Sequence, residues 1–458
     1  MTFTRLTRGI EVGANCYALD VAGRRVVLDC GQHPRFDGPE GTPLLDQLEE
    51  DSVDAVALSH AHHDHIGCIP LLQRRHPRAR VFMTEATRQL GDIILHNSVN
   101  VMRRRHDEGA TEGPLFSHGD VTIAAKLWQA APLLTRFDLE GNRVSARGRA
   151  PVSLEFFDAG HILGSVGVRM RGEGRTVFYT GDVQFEDQTI SRAAVFPHEP
   201  VDILIMETTR GDRAAEPGFT RNAEELRLAQ CLREVFDGGG AVLIPTFALG
   251  KTQELLAMFF RFRQRGLLSA DCPIYIGGLG TKLTEVHDRL ANETRRRLRG
   301  LRILDEVPHY VLAGRSAETQ PLKPRRIYAL SSGMMAEHTV SNLYARRLIE
   351  RPEHAIFFVG YCDPETPGGV LRHSDPGQPV QLEADAPPLT RQCRVERFDF
   401  SGHATRENLR AFANRMRPKK ILLVHGDIEA ATWFRDTLSA DLPGSEVIIP
   451  APGEPIEL

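Results

Sequence analysis

A chain of 458 residues is longer than one ordinary hydrophobic core supports, so two domains are expected. Hydrophobic residues make up 41% and charged residues 25%, as in a soluble globular protein, and no apolar run reaches the roughly 18 residues of a membrane span, so no such span is expected. The net charge of −4 argues against a protein that coats nucleic acid tightly, although patches of positive charge and bound metal are not counted in it.

The first half of the chain alternates β-like runs with turns. Strands are predicted at Arg25–Cys30, Val53–Ser59 and Ala79–Thr84. The stretch from about residue 91 to 149 is less regular and predicts a helix followed by polar loops, an insert beside the functional site.

The segment His60–His65 carries the spacing His-x-His-x-Asp-His, with His63 as the second spacer. It directly follows the predicted strand that ends at Ser59. Imidazole and carboxylate groups suit a borderline cation such as zinc. Packing these groups together without a metal would be costly, because buried polar groups need partners. The alternative is a solvated polar loop or an adventitious histidine-rich tract.

Further ligand-type residues stand at strand ends later in the chain. His161 follows an apolar run and lies next to a glycine, Asp182 follows the strand Arg175–Thr180, and His425 follows the strand Lys420–Val424. Each residue alone is more often a structural histidine or a turn former. Together with the histidine-rich segment, the pattern resembles the metallo-β-lactamase fold.

The second half reads as strand, turn and helix. Gly240–Pro245 leads into an amphipathic helix over Gln253–Arg265, and further strands are predicted at Pro273–Ile276, Arg326–Leu330 and Ala355–Val359. Nearly continuous apolar strands that alternate with helices indicate a parallel sheet covered on both faces.

Three short motifs narrow the resemblance. Met206–Gly211, Phe400–Ala404 and Val424–Gly426 resemble the first, second and third motifs of the β-CASP family, the nucleases of this fold. Leu243–Leu256 is close to a stretch found throughout that family. The likeness runs from about Gly13 to Asp427 and is strongest to the bacterial branch related to the endonuclease subunit of the cleavage-and-polyadenylation machinery.

The resemblance implies an α/β protein: a metallo-β-lactamase αββα sandwich with an inserted β-CASP α/β domain. We expect residues 1–208 to form the first part of the sandwich domain, residues 209–390 the insert, and residues 391–458 the second part of the sandwich domain.

The resemblance also implies two zinc ions per chain and a set of roles. The first zinc would be held by His60, His62 and His161, the second by Asp64, His65 and His425, with Asp182 bridging them. His403 is the candidate general acid, oriented by Glu207. The candidate catalytic residues are Asp64, Asp182, Glu207 and His403. The candidate phosphate contacts are Thr246, Lys251 and Ser401, for which core packing or a helix cap is an equally good interpretation.

Three positions depart from the family pattern. Lys251 stands where the family usually has arginine, and it keeps the charge but loses bidentate geometry. Thr405 replaces a common aspartate in the second motif, and Arg210 replaces a common tyrosine in the first. The last two changes predict an altered hold on His403 or an altered path for substrate.

The function implied is a zinc-dependent ribonuclease acting on single-stranded RNA, for which His425 in the third motif is typical. Endonucleolytic action is favoured because the chain ends soon after His425. A DNA exonuclease of the same family is the first alternative. A small-molecule metallo-hydrolase would leave Glu207 and His403 unexplained, and a scaffold without activity is disfavoured because every ligand type is present.

The cysteines and termini bear on location and assembly. Seven scattered cysteines without a Cys-x-x-Cys motif are typical of reduced thiols in a cytoplasmic protein. The N-terminus lacks the apolar stretch of a signal peptide. We expect no membrane partner, and a homodimer is compatible with the sequence.

Overall fold

The computed structural model describes residues 1–109, 111–145 and 147–458. Contacts group these residues into two compact units, of which the first contains Met1–Glu186, Ala193–Ala215 and His403–Leu458, and the second Asp187–Arg192 and Glu216–Gly402. The sequence placed the divisions at 208/209 and 390/391. The second unit continues past residue 390 because the strand Arg394–Arg397 pairs in parallel with Ala355–Phe358.

The elements follow one another in chain order. Up to residue 215 the strands are β1 (Thr2–Arg5), β2 (Tyr17–Val21), β3 (Arg24–Leu28), β4 (Ala55–Ala57), β5 (Arg80–Met83), β6 (Trp128–Ala130), β7 (Phe137–Asp138), β8 (Val152–Asp158), β9 (Val166–Gly172), β10 (Arg175–Tyr179) and β11 (Ile203–Glu207). The α-helices there are α1 (His63–Ile66), α2 (Ile69–Arg75), α3 (Glu85–Asp107) and α4 (His118–Ala124), and short 3₁₀ turns occupy Gly38–Gly41, Leu45–Gln47 and Ala125–Leu127.

The remaining strands and helices lie in the second unit and in the last segment of the chain. Strands of the second unit are β12 (Val242–Pro245), β13 (Ile274–Gly277), β14 (Tyr310–Leu312), β15 (Ile327–Leu330), β16 (Ala355–Phe358), β17 (Pro379–Val380), β18 (Leu389–Thr390) and β19 (Arg394–Arg397). Its helices are α5 (Arg221–Asp237), α6 (Lys251–Gln264), α7 (Gly278–Arg289), α8 (Ile303–Glu306), α9 (Arg315–Thr319), α10 (Val340–Leu348) and α11 (Pro367–His373). The chain ends with α12 (Arg406–Met416), β20 (Lys420–Val424), α13 (Ile428–Asp441), β21 (Glu446–Ile448) and β22 (Pro455–Glu457).

The first unit is built from two sheets that share one core. Within the described residues the strand orders are β22-β1-β2-β3-β4-β5-β6 and β21-β20-β11-β10-β9-β8-β7. The inner faces supply one hydrophobic cluster, to which β4 contributes Ala55 and Ala57 and β20 contributes Leu422 and Val424. Since successive side chains of a strand point to opposite faces, the residues between them pack outward.

Helices cover the two outer faces of this pair of sheets. Val56 of β4 joins Leu72 of α2 and Leu95 of α3 in one outer cluster, and Leu423 of β20 joins Phe412 of α12 in the other. The unit is therefore an αββα sandwich, which confirms the predicted fold class.

The second unit contains a sheet with the strand order β14-β13-β15-β12-β16-β19, and every neighbouring pair is parallel. One face packs against α5 and α6, and the other against α10 and α11. This arrangement confirms the predicted parallel sheet with both faces covered. The amphipathic helix expected over 253–265 begins at Lys251 and ends at Gln264.

The predicted insert at 91–149 is wrong in part. Most of the 23-residue helix α3 lies in this range, and β6 and β7 pair with β5 and β8 at the edges of the two sheets. The stretch therefore belongs to the sandwich. The sequence did not indicate these two strands, because short edge strands carry too few residues to show an alternating pattern. None of the helices in the described residues combines the length and apolar character needed to cross a bilayer.

Candidate metal centre

The candidate ligands converge at one edge of the sandwich. β8, β10, β11 and β20 run in the same direction, so their carboxyl ends meet at the same edge of their sheet. His161, Asp182 and His425 follow β8, β10 and β20. His60 and His62 follow β4 of the other sheet, and Asp64 and His65 lie on the short helix α1.

The first group consists of His60, His62, His161 and Asp182. Nδ1 of His62 lies 3.1 Å from Nε2 of His60 and 3.1 Å from Nε2 of His161. Oδ2 of Asp182 lies 3.5 Å from Nε2 of His60 and 3.6 Å from Nε2 of His161. Four donor atoms therefore face one small volume.

The second group consists of Asp64, His65 and His425. Oδ2 of Asp64 lies 3.3 Å from Nε2 of His425 and 3.5 Å from Nε2 of His65. Oδ1 of Asp182 lies 3.4 Å from Nε2 of His65. Asp182 thus presents one carboxylate oxygen to each group.

These residues fit a pair of metal ions. Ligand atoms held 2.0–2.1 Å from one tetrahedral zinc lie about 3.4 Å apart, which is close to the distances within each group. Oδ1 of Asp182 is buried and has no hydrogen-bond partner among the described residues, an arrangement that a cation would relieve. Nitrogen and carboxylate donors together suit a borderline metal.

At His60, Asp182 and Asp64 the electrostatics favour the protonation states that metal binding needs. Burial lowers the pKa of His60 well below its ordinary value, so its imidazole is neutral. Burial alone would raise the pKa of Asp182, but His425, His65 and His60 outweigh it and hold that pKa well below the ordinary value. Burial likewise opposes ionisation of Asp64, and His65 and His425 reverse the effect.

A buried aspartate that sequence reasoning missed holds His65 in place. The carboxylate of Asp29 accepts hydrogen bonds from the backbone N–H of Ser59 at 2.6 Å, and from the Ser59 hydroxyl, the Tyr179 hydroxyl and Nδ1 of His65, each at 2.7 Å. The bond to Nδ1 leaves Nε2 of His65 as the ligand atom. The sequence did contain a signal for this role, because Asp29 follows the strand β3 as Asp182 follows the strand β10.

Asn15 and Thr209 were also missed. The side-chain amide of Asn15 donates to the backbone carbonyl of Asp64 at 3.1 Å and lies 3.1 Å from Nε2 of His65. The Thr209 hydroxyl lies 2.8 Å from Nδ1 of His425 and also donates to Glu207. A single asparagine or threonine carries no sequence signal of this kind.

His403 and Glu207 form a pair beside the ligands. Nδ1 of His403 lies 3.0 Å from Oε2 of Glu207, and its Nε2 lies 4.0 Å from Oδ2 of Asp182. Burial opposes protonation of His403, but the carboxylates of Glu207 and Asp182 outweigh it and raise its pKa. Glu207 is fixed in turn by the backbone N–H of Val183 at 2.6 Å.

The ligand groups overlap at His403, since Asp182, His403 and His425 also come close enough to hold an ion. We place His403 outside the two ligand sets for two reasons. Its Nε2 lies 4.0 Å from Asp182, farther than the ring nitrogens of His60, His65, His161 and His425, and Glu207 orients it through Nδ1. His63 turns away from the cluster, towards Gln32 at 3.1 Å and Ser98 at 3.2 Å.

The candidate phosphate contacts lie in the second unit. Thr246 is buried directly after β12, and Lys251 is the first residue of α6. The Lys251 ammonium donates to the backbone carbonyl of Phe400, which places it next to the residue that precedes Ser401. The structure therefore brings Lys251 and Ser401 together and places Thr246 at the other end of the turn before α6.

Thr405, one of the departures from the family pattern, has a structural use. Its hydroxyl accepts a hydrogen bond from the backbone N–H of Asn408 at 3.3 Å and caps the start of α12, the helix that follows His403.

Comparisons with known proteins agree with this architecture. Residues 24–235 match the Beta-lactamase superfamily domain, residues 252–371 the Beta-Casp domain, and residues 388–450 the Zn-dependent metallo-hydrolase RNA specificity domain. The chain belongs to the β-CASP family of metallo-β-lactamase-fold hydrolases.

Its similar relatives include three named nucleases or processing factors. Cleavage and polyadenylation specificity factor 73 of Drosophila melanogaster is 28% identical over 437 residues, which are 92% of this chain and 59% of the relative. Endoribonuclease ysh1 of Schizosaccharomyces pombe is 27% identical, over 93% of this chain and 54% of the relative. Probable RNase MJ4 of Methanocaldococcus jannaschii is 26% identical, over 98% of both chains.

The chain therefore spans less than two thirds of the first two relatives. Among solved structures, a protein of unknown function from Enterococcus faecalis V583 shares the fold, with a TM-score of 0.57 and 16% identity over 100% of this chain and 99% of that one.

Proposed function

We propose that this protein is a zinc-dependent ribonuclease that cleaves single-stranded RNA internally, with two zinc ions per chain. The observation that carries the proposal is the Asp182 carboxylate, which presents one oxygen to each of two histidine-rich groups. The names of the relatives from S. pombe and M. jannaschii describe RNA-cleaving proteins, which supports RNA as the substrate.

The metal ligands fall into two sets. His60, His62 and His161 would hold one ion, and Asp64, His65 and His425 the other, with Asp182 shared between them. Such ions supply activation of water near neutral pH and neutralisation of charge on the phosphodiester.

His403 supplies the proton that the leaving oxygen needs. The raised pKa keeps the imidazole protonated over a wider pH range, and the bond from Nδ1 to Glu207 leaves the proton on Nε2 facing the metal groups. Glu207 thus positions His403, and Thr209 links Glu207 to the ligand His425. The pair of Glu207 and His403 also disfavours a small-molecule metallo-hydrolase, because such an enzyme would have no need of it.

In the second unit, Thr246, Lys251 and Ser401 are proposed to contact phosphates of the RNA. Lys251 opens a 14-residue helix, where free backbone amides and the helix dipole favour anions. A cytoplasmic location is proposed because all seven cysteines, each within the described residues, are buried and unpaired. A homodimer stays a prediction that light scattering of the purified chain would test.

A covalently closed RNA circle tests the proposal, because only internal cleavage opens it. We expect the zinc-loaded protein to linearise the circle and to cut linear RNA faster than DNA of the same sequence. Protein with Asp182→Asn, purified in parallel, controls for contaminating nucleases. Cleavage of linear RNA alone would contradict the internal mode, and faster cutting of DNA would favour the DNA exonuclease.

A further inference from the structure

A small cavity opens in the first unit between the loop that precedes β2 and the loop that follows β3. Its volume is about 230 Å³, below the roughly 300–1,000 Å³ of pockets that take drug-sized ligands. Its lining includes Arg8, Glu11, His33, Phe36 and Glu40. Hydrogen bonds from the Arg8 side chain to the carbonyls of Thr42 and Pro39 tie the two loops together.

One wall of the cavity is aromatic. The rings of His33 and Phe36 stack with centroids 4.4 Å apart, and the guanidinium of Arg35 lies 5.7 Å from the Phe36 centroid. Phe36 remains 43% exposed, whereas His33 is 5% exposed. Gly13 permits this packing, because a Cβ there would lie 2.3 Å from the His33 ring.

The polar side chains of the cavity include one ring donor and two carboxylate acceptors. The backbone N–H of Arg35 donates to Nδ1 of His33, which leaves Nε2 to carry the ring proton. Among the described residues, that buried Nε2 has no hydrogen-bond partner. Oε2 of Glu11 lies 3.4 Å from it and 3.6 Å from the guanidinium of Arg35, which leaves the other oxygen of Glu11 to accept from a ligand. Glu11 and Glu40 thus place two carboxylates at the cavity.

Both loops continue into the metal centre. The backbone N–H of Gln32, next to His33, donates to the carbonyl of His63 at 3.0 Å. Asn15, two residues after Gly13, contacts Asp64 through its backbone N–H and its side chain. Two residues span at most about 7 Å, so the cavity wall lies close to the ligand loop.

We propose that this cavity receives a nucleobase of the substrate, next to the phosphate that is cut, and that it favours the amino-bearing bases adenine, guanine and cytosine over uracil. The inference rests on the proposed ribonuclease function and adds a base subsite to it. The base stacks on the exposed ring of Phe36, and its amino group donates to the carboxylate of Glu11.

The charges at the cavity argue against a phosphate as the occupant. Glu11 and Glu40 would repel an anion, and Arg8 already donates to two backbone carbonyls. Uracil carries no amino group, and its N3–H lies between two carbonyl oxygens whose lone pairs Glu11 would oppose. A planar base with an amino group satisfies both the aromatic wall and the acceptor.

Cut sites in a random-sequence RNA pool, with kinetics on single RNAs, test the subsite. For the wild type we expect uracil to be depleted at one position relative to the cut, and for Glu11→Gln we expect that depletion to disappear. Phe36→Ala should raise KM for RNA roughly five- to hundred-fold, and Phe36→Trp should restore it. Tyr310→Ala removes an aromatic ring that is 56% exposed in the second unit and should leave KM unchanged.

Cleavage of the same RNA with a stable abasic nucleotide at the depleted position separates the two claims, because that RNA offers no ring to stack on Phe36. Phe36→Ala should cut it at the wild-type rate. If the wild type cuts neither the intact nor the abasic RNA, the ribonuclease proposal fails and the subsite fails with it. RNA cleavage with an unchanged KM in Phe36→Ala, or with uracil depletion retained in Glu11→Gln, overturns the subsite alone.

Discussion

Replacing Asp29 by asparagine should weaken the metal centre without reshaping its loop. Asp29 adopts a left-handed backbone with φ near 58°, a conformation that asparagine tolerates better than most residues. The substitution also keeps the size of the side chain. Its effect therefore comes from the loss of charge and of one hydrogen-bond acceptor.

The size of the effect follows from the bonds to this carboxylate. Oδ2 accepts from the Ser59 hydroxyl, the Tyr179 hydroxyl and Nδ1 of His65, and Oδ1 accepts from the backbone N–H of Ser59. An amide offers one acceptor oxygen, so a buried donor loses its partner at a cost of about 1–3 kcal/mol. Loss of a partner that orients a metal-binding histidine typically costs 10–100-fold in metal affinity.

Competition for zinc against a chromophoric chelator measures the affinity, and thermal unfolding with and without EDTA measures the stability. The control is Asp54→Asn, a partly exposed carboxylate of the same unit that accepts from Arg24 and from the backbone N–H of Arg25. We expect wild-type zinc affinity for the control and at least tenfold weaker binding for Asp29→Asn. Equal affinities would refute the role assigned to Asp29.

Three further predictions concern single histidines. His62→Ala should lower the zinc content, measured by plasma mass spectrometry, below two per chain; an unchanged value in a folded variant would defeat the ligand assignment. His403→Ala should retain both metals but lose about 10²–10⁴-fold in cleavage rate, with partial rescue by a substrate that has a good leaving group. His287 is buried, and burial lowers its pKa to about 3, so the folded state excludes a proton that the unfolded state binds below about pH 6.5. The free energy of unfolding should therefore fall by up to about 1.4 kcal/mol per pH unit below that value. This pH dependence should be weaker in His287→Leu but unchanged in the exposed control His198→Leu. Urea unfolding at several pH values measures it, and the same change in unfolding free energy per pH unit in His287→Leu and the wild type would contradict the prediction.

Residues at strand ends made much of the metal centre predictable. A buried strand shows as an apolar run, and the chain must turn where it ends, so His161, Asp182 and His425 stood out by position as well as by type. Asp29 has the same placement after β3, but it is not among the ligands that the family resemblance implies, so its position alone did not predict a role.

Other features depend on contacts that the sequence does not display. β19 has the sequence Arg-Val-Glu-Arg, in which only one residue is apolar, yet it pairs with β16 at an edge of the parallel sheet and extends the second unit. The hydrogen bonds of Asn15 and Thr209 to the ligands arise only when distant loops meet. The short edge strands β6 and β7 are likewise defined by their partners.

Zinc titration into the metal-free protein, with the rate of opening of an RNA circle as the readout, tests whether two zinc ions make this protein an endoribonuclease. We expect no opening before zinc is added and a rate that rises until two equivalents per chain are bound. Opening that survives complete removal of metal, or a zinc-loaded protein that leaves the circle intact, would contradict this expectation.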